Sequence, residues 1–358
     1  MCRSNGGPAR ERNQPMVTRL TALLLGLALV AAACGSDDGD AAAEADATTD
    51  EAAMEDDEAM EDEEAMEDDA MEDDAMEDDA MEDDAMEDDA MAEGRPVLDI
   101  SFDGLEPLGD DFDYEVWTIV DDAPVSGGLF DIDDAGAVEI TSDQDHLYGH
   151  EGATDVVISI EPSVGDDPAP ADTKVLGGPI ADDGTFELTI DHPAALGTDF
   201  ADASGIYILG TPTDDPDGNE LSGVWFLQVP GPEASLNLPE LPAGWVYEGW
   251  AVIDGQPVST GRFTDVAAVD DFNGFSGPNE GPNYPGEDFI VNAPDGLTFP
   301  TDLTEATIVI SVEPDPDNSP APFALKPLVS EVPSGIGDHV NIEFDNNPEQ
   351  ILGSGSSM

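Results

Sequence analysis

Residues 114–120 read YEVWTIV and residues 247–253 read YEGWAVI, so one short pattern occurs twice in the chain. Both stretches are rich in β-branched and aromatic residues, which favour strands. Further runs of this kind follow, separated by Gly, Pro and Asp: DVVISIE, GTFELTI, SGIYILG, SGVWFLQ and ATIVISVE. No segment of useful length has a helical period. The sequence therefore predicts an all-β fold of antiparallel sheets.

The likeness of the two stretches continues along the chain at constant offsets. The residues that recur at an offset of 133 include Tyr114/Tyr247, Trp117/Trp250, Ser126/Ser259, Gly128/Gly261 and Phe130/Phe263. Those that recur at an offset of 152 include Ser159/Ser311, Glu161/Glu313, Pro162/Pro314 and Lys174/Lys326. The larger offset places 19 extra residues in the second copy, within the Gly-, Pro- and Asn-rich loop at 271–288. We expect Tyr, Trp, Gly and Phe of this motif to form the core of each copy.

These offsets predict two tandem antiparallel β-sandwich domains. The first spans 95–232 and includes an extra hairpin around the Asp-Gly turn of TPTDDPDGNEL. The second spans 233–346, and 347–358 is predicted to be a disordered tail.

The amino-terminal 33 residues have the pattern of an export signal. Residues 20–33, LTALLLGLALVAAA, form an apolar run after Arg19, and Met16 offers an alternative start that gives a compact signal. Three alanines precede Cys34, as in a lipoprotein processing site. We therefore expect Cys34 to carry lipid and to anchor the protein on the outer face of the plasma membrane. The alternative is an ordinary secretory signal followed by an incidental cysteine.

Residues 34–94 have the composition of a disordered acidic spacer. Residues 35–94 contain 31 Asp and Glu and no Lys, Arg or aromatic residue, and the chain repeats AMEDD from Met66 to Met91. Such a chain cannot bury a core and repels itself. The alternative is a weak metal sink, with carboxylates for Ca²⁺ or the thioethers of Met71, Met76, Met81 and Met86 for Cu(I).

Charge and cysteine content exclude several classes of protein. The chain has 84 acidic against 8 basic residues, a net charge of -76, so it lacks the cations that nucleic acids require. Two cysteines exclude a disulfide scaffold. So acidic a surface is less costly at high ionic strength, which predicts a saline habitat.

The strongest candidate sites all have a structural explanation. Glu161-Pro162 and Glu313-Pro314 each end a predicted strand. We expect their carboxylates to form structural ion pairs with Lys174 and Lys326, and the alternative is a bond across to a loop. Residues 143–151 bring His146 and His150 together with carboxylates and could hold Zn²⁺ or Cu²⁺. The second copy has no equivalent histidines, and a polar loop explains these residues without a metal. Oxygen-rich turns occur at Asp214, Asp215, Asp217, Asn219 and Glu220, and again at Asp315, Asp317 and Asn318. Neither matches a complete Ca²⁺ loop, so no metal and no cofactor is expected.

Catalysis has little support in the sequence. His146, His150, His192 and His339 are scattered and have no recognisable nucleophile or phosphate loop beside them. The chain is therefore not expected to be an enzyme. A hydrolase that uses only carboxylates is the remaining catalytic alternative.

The pattern Tyr-x-x-Trp, then Pro-Val-x-x-Gly-x-Phe, then a strand that ends in Glu-Pro resembles the extracytoplasmic C-terminal domain of anti-sigma-K factors. The resemblance covers 97–182 and 233–335 and implies a β-sandwich outside the plasma membrane. In that family a transmembrane helix joins this domain to a cytoplasmic segment that binds a sigma factor. This sequence shows neither the helix nor the segment, so no direct contact with a sigma factor is expected.

The sequence thus predicts a lipid-anchored, extracytoplasmic, non-catalytic module for sensing or binding. The alternative is a structural envelope or adhesion protein whose partner is a glycan or another protein. Its contact surface would be the loop 271–288, with Phe272, Phe275 and Tyr284.

Overall fold

The computed structural model describes residues 94–214, 219–317, 319–347 and 351–358. All regular structure in these ranges is β-strand and every strand pair is antiparallel, which confirms the predicted all-β class. Within the same ranges no helix could cross a membrane. The export signal, Cys34 and the acidic spacer lie outside the described residues.

The first copy of the repeated motif lies in a nine-stranded sheet of order β4-β3-β2-β6-β7-β8-β20-β1-β5. Its strands are β1 (Val97–Asp103), β2 (Phe112–Val120), β3 (Ala123–Ile132), β4 (Val138–Ile140), β5 (Leu147–Tyr148), β6 (Asp155–Pro162), β7 (Lys174–Pro179), β8 (Thr185–Thr189) and β20 (Leu352–Ser357).

The second copy lies in a five-stranded sheet of order β14-β13-β16-β17-β19. These strands are β13 (Trp245–Ile253), β14 (Gln256–Phe263), β16 (Thr307–Pro314), β17 (Leu328–Glu331) and β19 (Asp345–Asn346). The neighbours β14-β13-β16-β17 reproduce the order β3-β2-β6-β7 of the first sheet.

Each copy of the motif has the same bulge beside its tryptophan. Trp117 faces Ser126 while Val116 faces Gly128, and Trp250 faces Ser259 while Gly249 faces Gly261. One extra residue therefore stands in β3 and in β14 at equivalent places. Gly128 and Gly261 have φ of 117° and 114°, values that L side chains rarely adopt. This explains why glycine occurs at this position of the motif.

The remaining strands form two small sheets. A four-stranded sheet has the order β15-β10-β9-β18, and β11 pairs with β12. The strands are β9 (Ile206–Leu209), β10 (Gly223–Trp225), β11 (Leu227–Gln228), β12 (Glu233–Ala234), β15 (Gly286–Asp288) and β18 (Ile342–Glu343). The predicted hairpin is therefore present as β9 and β10, with Leu209 opposite Val224.

Two boundaries of the predicted organisation need correction. Residues 347–358 do not form a disordered tail throughout, because β20 pairs with β1 from Leu98 to Asp103 and also with β8. The boundary at 232/233 is not a break either. The hairpin of β9 and β10 pairs with β15 and β18 from beyond it, and one continuous cluster of buried apolar residues runs from Leu98 to Ile351.

Candidate functional site

Each copy of the motif brings three carboxylates together where β2 and β6, or β13 and β16, lie side by side. In the first copy these belong to Glu115, Glu161 and Asp166; in the second they belong to Glu248, Glu313 and Asp317. In both clusters one ligand oxygen from each residue lies within 4.8 Å of the other two. The four glutamates are buried, whereas Asp166 is exposed.

A hydrogen-bonded chain leads from the motif tryptophan to the Glu-Pro glutamate. Trp117 Nε1 donates to Ser159 Oγ at 2.8 Å, and Ser159 donates to Glu161 Oε1. The backbone N–H of Ala171 also donates to Glu161 Oε1, at 2.8 Å. The second copy repeats the chain: Trp250 Nε1 donates to Ser311 Oγ at 2.8 Å, and Ser311 donates to Glu313.

The glutamate that follows the motif tyrosine completes each cluster. Ser126 donates to Glu115 Oε1, and Ser259 donates to Glu248 Oε1. Glu115 is 4% exposed, yet its Oε2 has no hydrogen-bond partner among the described residues. A buried carboxylate oxygen without a partner is costly.

The tyrosines have a structural role that is the same in both copies. Tyr114 donates its hydroxyl hydrogen to the carbonyl of Glu106 at 2.9 Å, and Tyr247 donates to Pro239 at 2.7 Å. Each acceptor lies eight residues before its tyrosine. Trp117 and Trp250 are interior residues, both 2% exposed, so neither ring faces solvent.

The two clusters differ in the residue opposite the first glutamate. In the antiparallel register Glu115 faces Leu129, whereas Glu248 faces Arg262. Directly opposed residues share a face of the sheet. Arg262 also forms ion pairs with Asp271 at 3.0 Å and with Asp315 at 3.5 Å. The second cluster therefore has a protein cation beside it, and the first has an aliphatic side chain.

Burial makes these carboxyl groups weak acids. Desolvation raises the pKa of Glu115 and of Glu248 to about 7, although the hydrogen bonds from Ser126 and Ser259 favour the charged form and oppose the rise. Desolvation also raises the pKa of Glu313 to about 8 and shifts the pKa of Glu161 upward. Neighbouring carboxylates add to each shift, because like charges disfavour ionisation.

The predicted ion pairs with lysine do not form. Neither Lys174 nor Lys326 comes within 4.0 Å of Glu161 or Glu313, and Lys174 Nζ donates to the carbonyl of Ala171 at 2.6 Å instead. The glutamates accept instead from serine hydroxyls and from backbone N–H groups of the loop that follows each strand, which agrees with the alternative of a bond to a loop. Phe323 N, for example, donates to Glu313 Oε1 at 3.0 Å.

A second feature is a groove of about 550 Å³ along the enlarged loop at 271–288. Its lining includes Phe272, Tyr284 and three asparagines, Asn273, Asn279 and Asn283. Asp288 fixes its floor, because it accepts from Trp225 Nε1 at 2.8 Å and from Thr213 Oγ1 at 2.5 Å. Trp225 itself is 5% exposed and belongs to the floor.

The three aromatic residues predicted as a contact surface have different surroundings. Phe272 is 38% exposed and lines the groove. Tyr284 also lines it, and its hydroxyl donates to the carbonyl of Pro232 at 2.9 Å. Phe275 packs against Phe289 and Phe299, with ring centroids 6.1 and 5.4 Å away, so it supports the loop from inside.

The histidine-rich segment at 143–151 is a polar loop with internal hydrogen bonds. Tyr148 donates to Asp145 at 2.6 Å, and His150 Nδ1 lies 2.8 Å from Thr118 Oγ1. In the described part of the chain these residues do not form a group of three metal-capable side chains. Such a group does occur at Glu220, Asp338 and His339, on the surface. Asp215, Asp217 and Asn318 lie outside the described residues.

Sequence reasoning identified Glu161 and Glu313 but missed their partners Glu115 and Glu248. These two glutamates recur at the same offset of 133 as the tyrosines and tryptophans beside them. That recurrence is the signal that could have identified them. The convergence of both glutamates on one point depends on the register between β2 and β6, which the sequence does not state.

Comparison with protein families gives a match to one family model, described as anti-sigma-K factor rskA, C-terminal, over residues 20–175. This confirms the resemblance for the first copy of the motif and is consistent with a module of the anti-sigma factor type. That family is regulatory and not catalytic. Comparison with curated proteins and with solved structures gives no significant match.

Proposed function

We propose that this chain is a lipid-anchored protein of the outer face of the plasma membrane, where its β-rich part acts as a non-catalytic module for sensing or binding. The observation that carries the proposal is the family match, which runs from the apolar segment at 20–33 through the first copy of the motif. In that order, a hydrophobic segment and a β-domain are typical of a protein exposed on the far side of a membrane. The cysteine that follows the apolar segment supports anchoring by lipid.

The anchoring is tested by Cys34→Ser, with Cys2→Ser as the matched control. Cells that express each variant are fed an alkyne-tagged fatty acid, and the purified protein is analysed by mass spectrometry and by protease treatment of intact cells. Native protein and the Cys2→Ser variant should carry label and be cleaved from outside. Label on the Cys34→Ser variant, or native protein protected from protease, contradicts the proposal.

A second candidate function, adhesion to a glycan or a protein partner, is favoured by the groove at 271–288. Exposed aromatic faces beside amide side chains suit sugar rings, which stack on the former and hydrogen-bond to the latter. Phe272 and Asn273 supply this combination at the groove. A purely apolar partner would not use the asparagines.

Glycan arrays test this candidate with Phe272→Ala, and Val340→Ala serves as the control. Val340 is 42% exposed and is not among the residues that line the groove. Adhesion through the groove predicts binding by the native chain that is lost in the Phe272 variant and kept in the control. Equal binding by all three proteins would place the contact elsewhere.

A further inference from the structure

The cluster of Glu115, Glu161 and Asp166 has an acceptor that the protein leaves unused. Glu115 is almost fully buried, and its Oε2 has no hydrogen-bond partner among the described residues, although Ser126 serves Oε1. The same carboxylate provides a ligand oxygen to the three-carboxylate group. A bound cation would satisfy such an oxygen directly.

The dimensions and chemistry of the cluster suit a hard divalent cation. Ca²⁺ binds oxygens at 2.3–2.6 Å, so two oxygens up to about 5 Å apart can both contact one ion. The ligand oxygens here lie within 4.8 Å of one another. All three ligand atoms are carboxylate oxygens, and such oxygens suit hard cations better than they suit the softer transition metals. Asp166 is exposed, in the loop that follows β6, and provides a route from solvent.

The protein supplies no counter-charge at this place. Within the described residues, no Lys, Arg or His nitrogen comes within 4.0 Å of Glu115, Glu161 or Asp166. Leu129 occupies the position opposite Glu115. In the second copy Arg262 occupies the equivalent position, and its positive charge opposes part of the rise that burial causes in the pKa of Glu248. Arg262 therefore offsets part of the negative charge of the second cluster, and a cation from solution is favoured more strongly at the first.

We propose that Glu115, Glu161 and Asp166 bind one Ca²⁺, and that the cluster of Glu248, Glu313 and Asp317 does not. This inference goes beyond the proposed function, since it holds wherever the chain resides. The buried Trp117 lies two hydrogen bonds from the ion, through Ser159 and Glu161. The ion would thus supply a positive charge to the first cluster, where the second has that of Arg262 nearby.

Terbium luminescence provides a readout restricted to the folded part of the full chain. Tb³⁺ occupies Ca²⁺ sites and emits when a nearby indole transfers its excitation energy. The acidic spacer at 35–94 contains no aromatic residue, so Tb³⁺ bound there gives no sensitised emission. We expect emission from the native chain that Ca²⁺ displaces. Glu115→Gln should weaken the Ca²⁺ competition by about tenfold or more, since it replaces a charged ligand.

The matched control is Glu139→Gln, which removes the same charge from an exposed strand residue and should change the competition by less than about twofold.

Leu129→Arg is the second test, because it keeps all three carboxylates and introduces the residue found in the second copy. It should abolish most of the emission while the circular dichroism spectrum is unchanged. If the carboxyl groups share a proton and bind no ion, the native chain should give no emission that Ca²⁺ displaces. That result overturns the proposal. Undiminished Ca²⁺ competition in the Glu115 or Leu129 variant overturns it equally.

Discussion

The two copies of the repeated motif solve one electrostatic problem in two ways. Both bury one glutamate in the strand that carries the tryptophan and a second at the Glu-Pro end of the neighbouring strand. In both, each glutamate has a serine donor. They differ in the residue opposite the first glutamate, which is Leu129 in the first copy and Arg262 in the second. The shared parts therefore define the motif, and the differing residue determines what balances its charge.

Removing the tryptophan should have the largest effect, and the effect should be equal in the two copies. Trp117→Ala and Trp250→Ala each empty a fully buried site and leave a serine without its indole partner. We expect a loss of about 3–5 kcal/mol in the free energy of unfolding for each variant. Urea denaturation at constant pH measures it. A loss in only one copy would show that the other tryptophan is not a structural equivalent.

The enlarged loop of the second copy should depend on Phe275 and not on Phe272. Phe275→Ala removes a ring packed against Phe289 and Phe299 and should cost about 2 kcal/mol. Phe272→Ala, at the exposed edge, should cost less than about 0.5 kcal/mol. Thermal unfolding of both variants compares them directly. Equal losses would contradict the division of this loop into a supporting ring and a surface ring.

The raised pKa values make the protein less stable as the pH rises from about 5 to 8. Glu115, Glu248 and Glu313 have pKa values of about 7, 7 and 8 in the folded chain, against an ordinary value of 4.5. The folded state therefore keeps protons that the unfolded state releases. The stabilising contribution is complete below about pH 4.5 and is lost as the pH passes through 7–8.

Glu313→Gln tests this dependence, because the amide cannot ionise. The variant should reduce the loss of stability between pH 5 and pH 8 by on the order of 1–2 kcal/mol, whereas Glu139→Gln should leave it unchanged. Melting temperatures across this range provide the measurement.

At pH 8, added Ca²⁺ should restore stability to the native chain and much less to Glu115→Gln. A flat pH profile for the native chain would show that these carboxyl groups are ionised throughout.

Much of this architecture could be predicted from the sequence, and the reasons for the failures are specific. The strands around Trp117 and Trp250 were predictable because β-branched and aromatic runs recur at fixed offsets. The pairing of β20 with β1 was not, because LGSGSS lacks the side chains that mark a strand and owes its order to the strands on either side. Ion pairs with lysine were preferred over bonds to a loop, whereas each glutamate accepts from the serine two residues before it and from a loop N–H. The approach of Glu115 to Glu161 depends on the register between β2 and β6 and is visible only in the fold.

The smallest expected effect, from Arg262→Leu, separates the two copies most sharply. The Arg262 side chain is 37% exposed, so its ion pairs with Asp271 and Asp315 are screened, and their loss should cost only about 0.2–1 kcal/mol. The variant gives the second cluster the surroundings of the first. If the residue opposite the glutamate decides how the charge is balanced, Arg262→Leu should add a second displaceable Tb³⁺ signal to that of the native chain. Trp250 is joined to Glu313 through Ser311, as Trp117 is joined to Glu161 through Ser159. The added emission should therefore disappear in the double variant Arg262→Leu/Trp250→Phe. A variant that binds no additional ion would show that the geometry around Asp317, and not the charge of Arg262, separates the two copies.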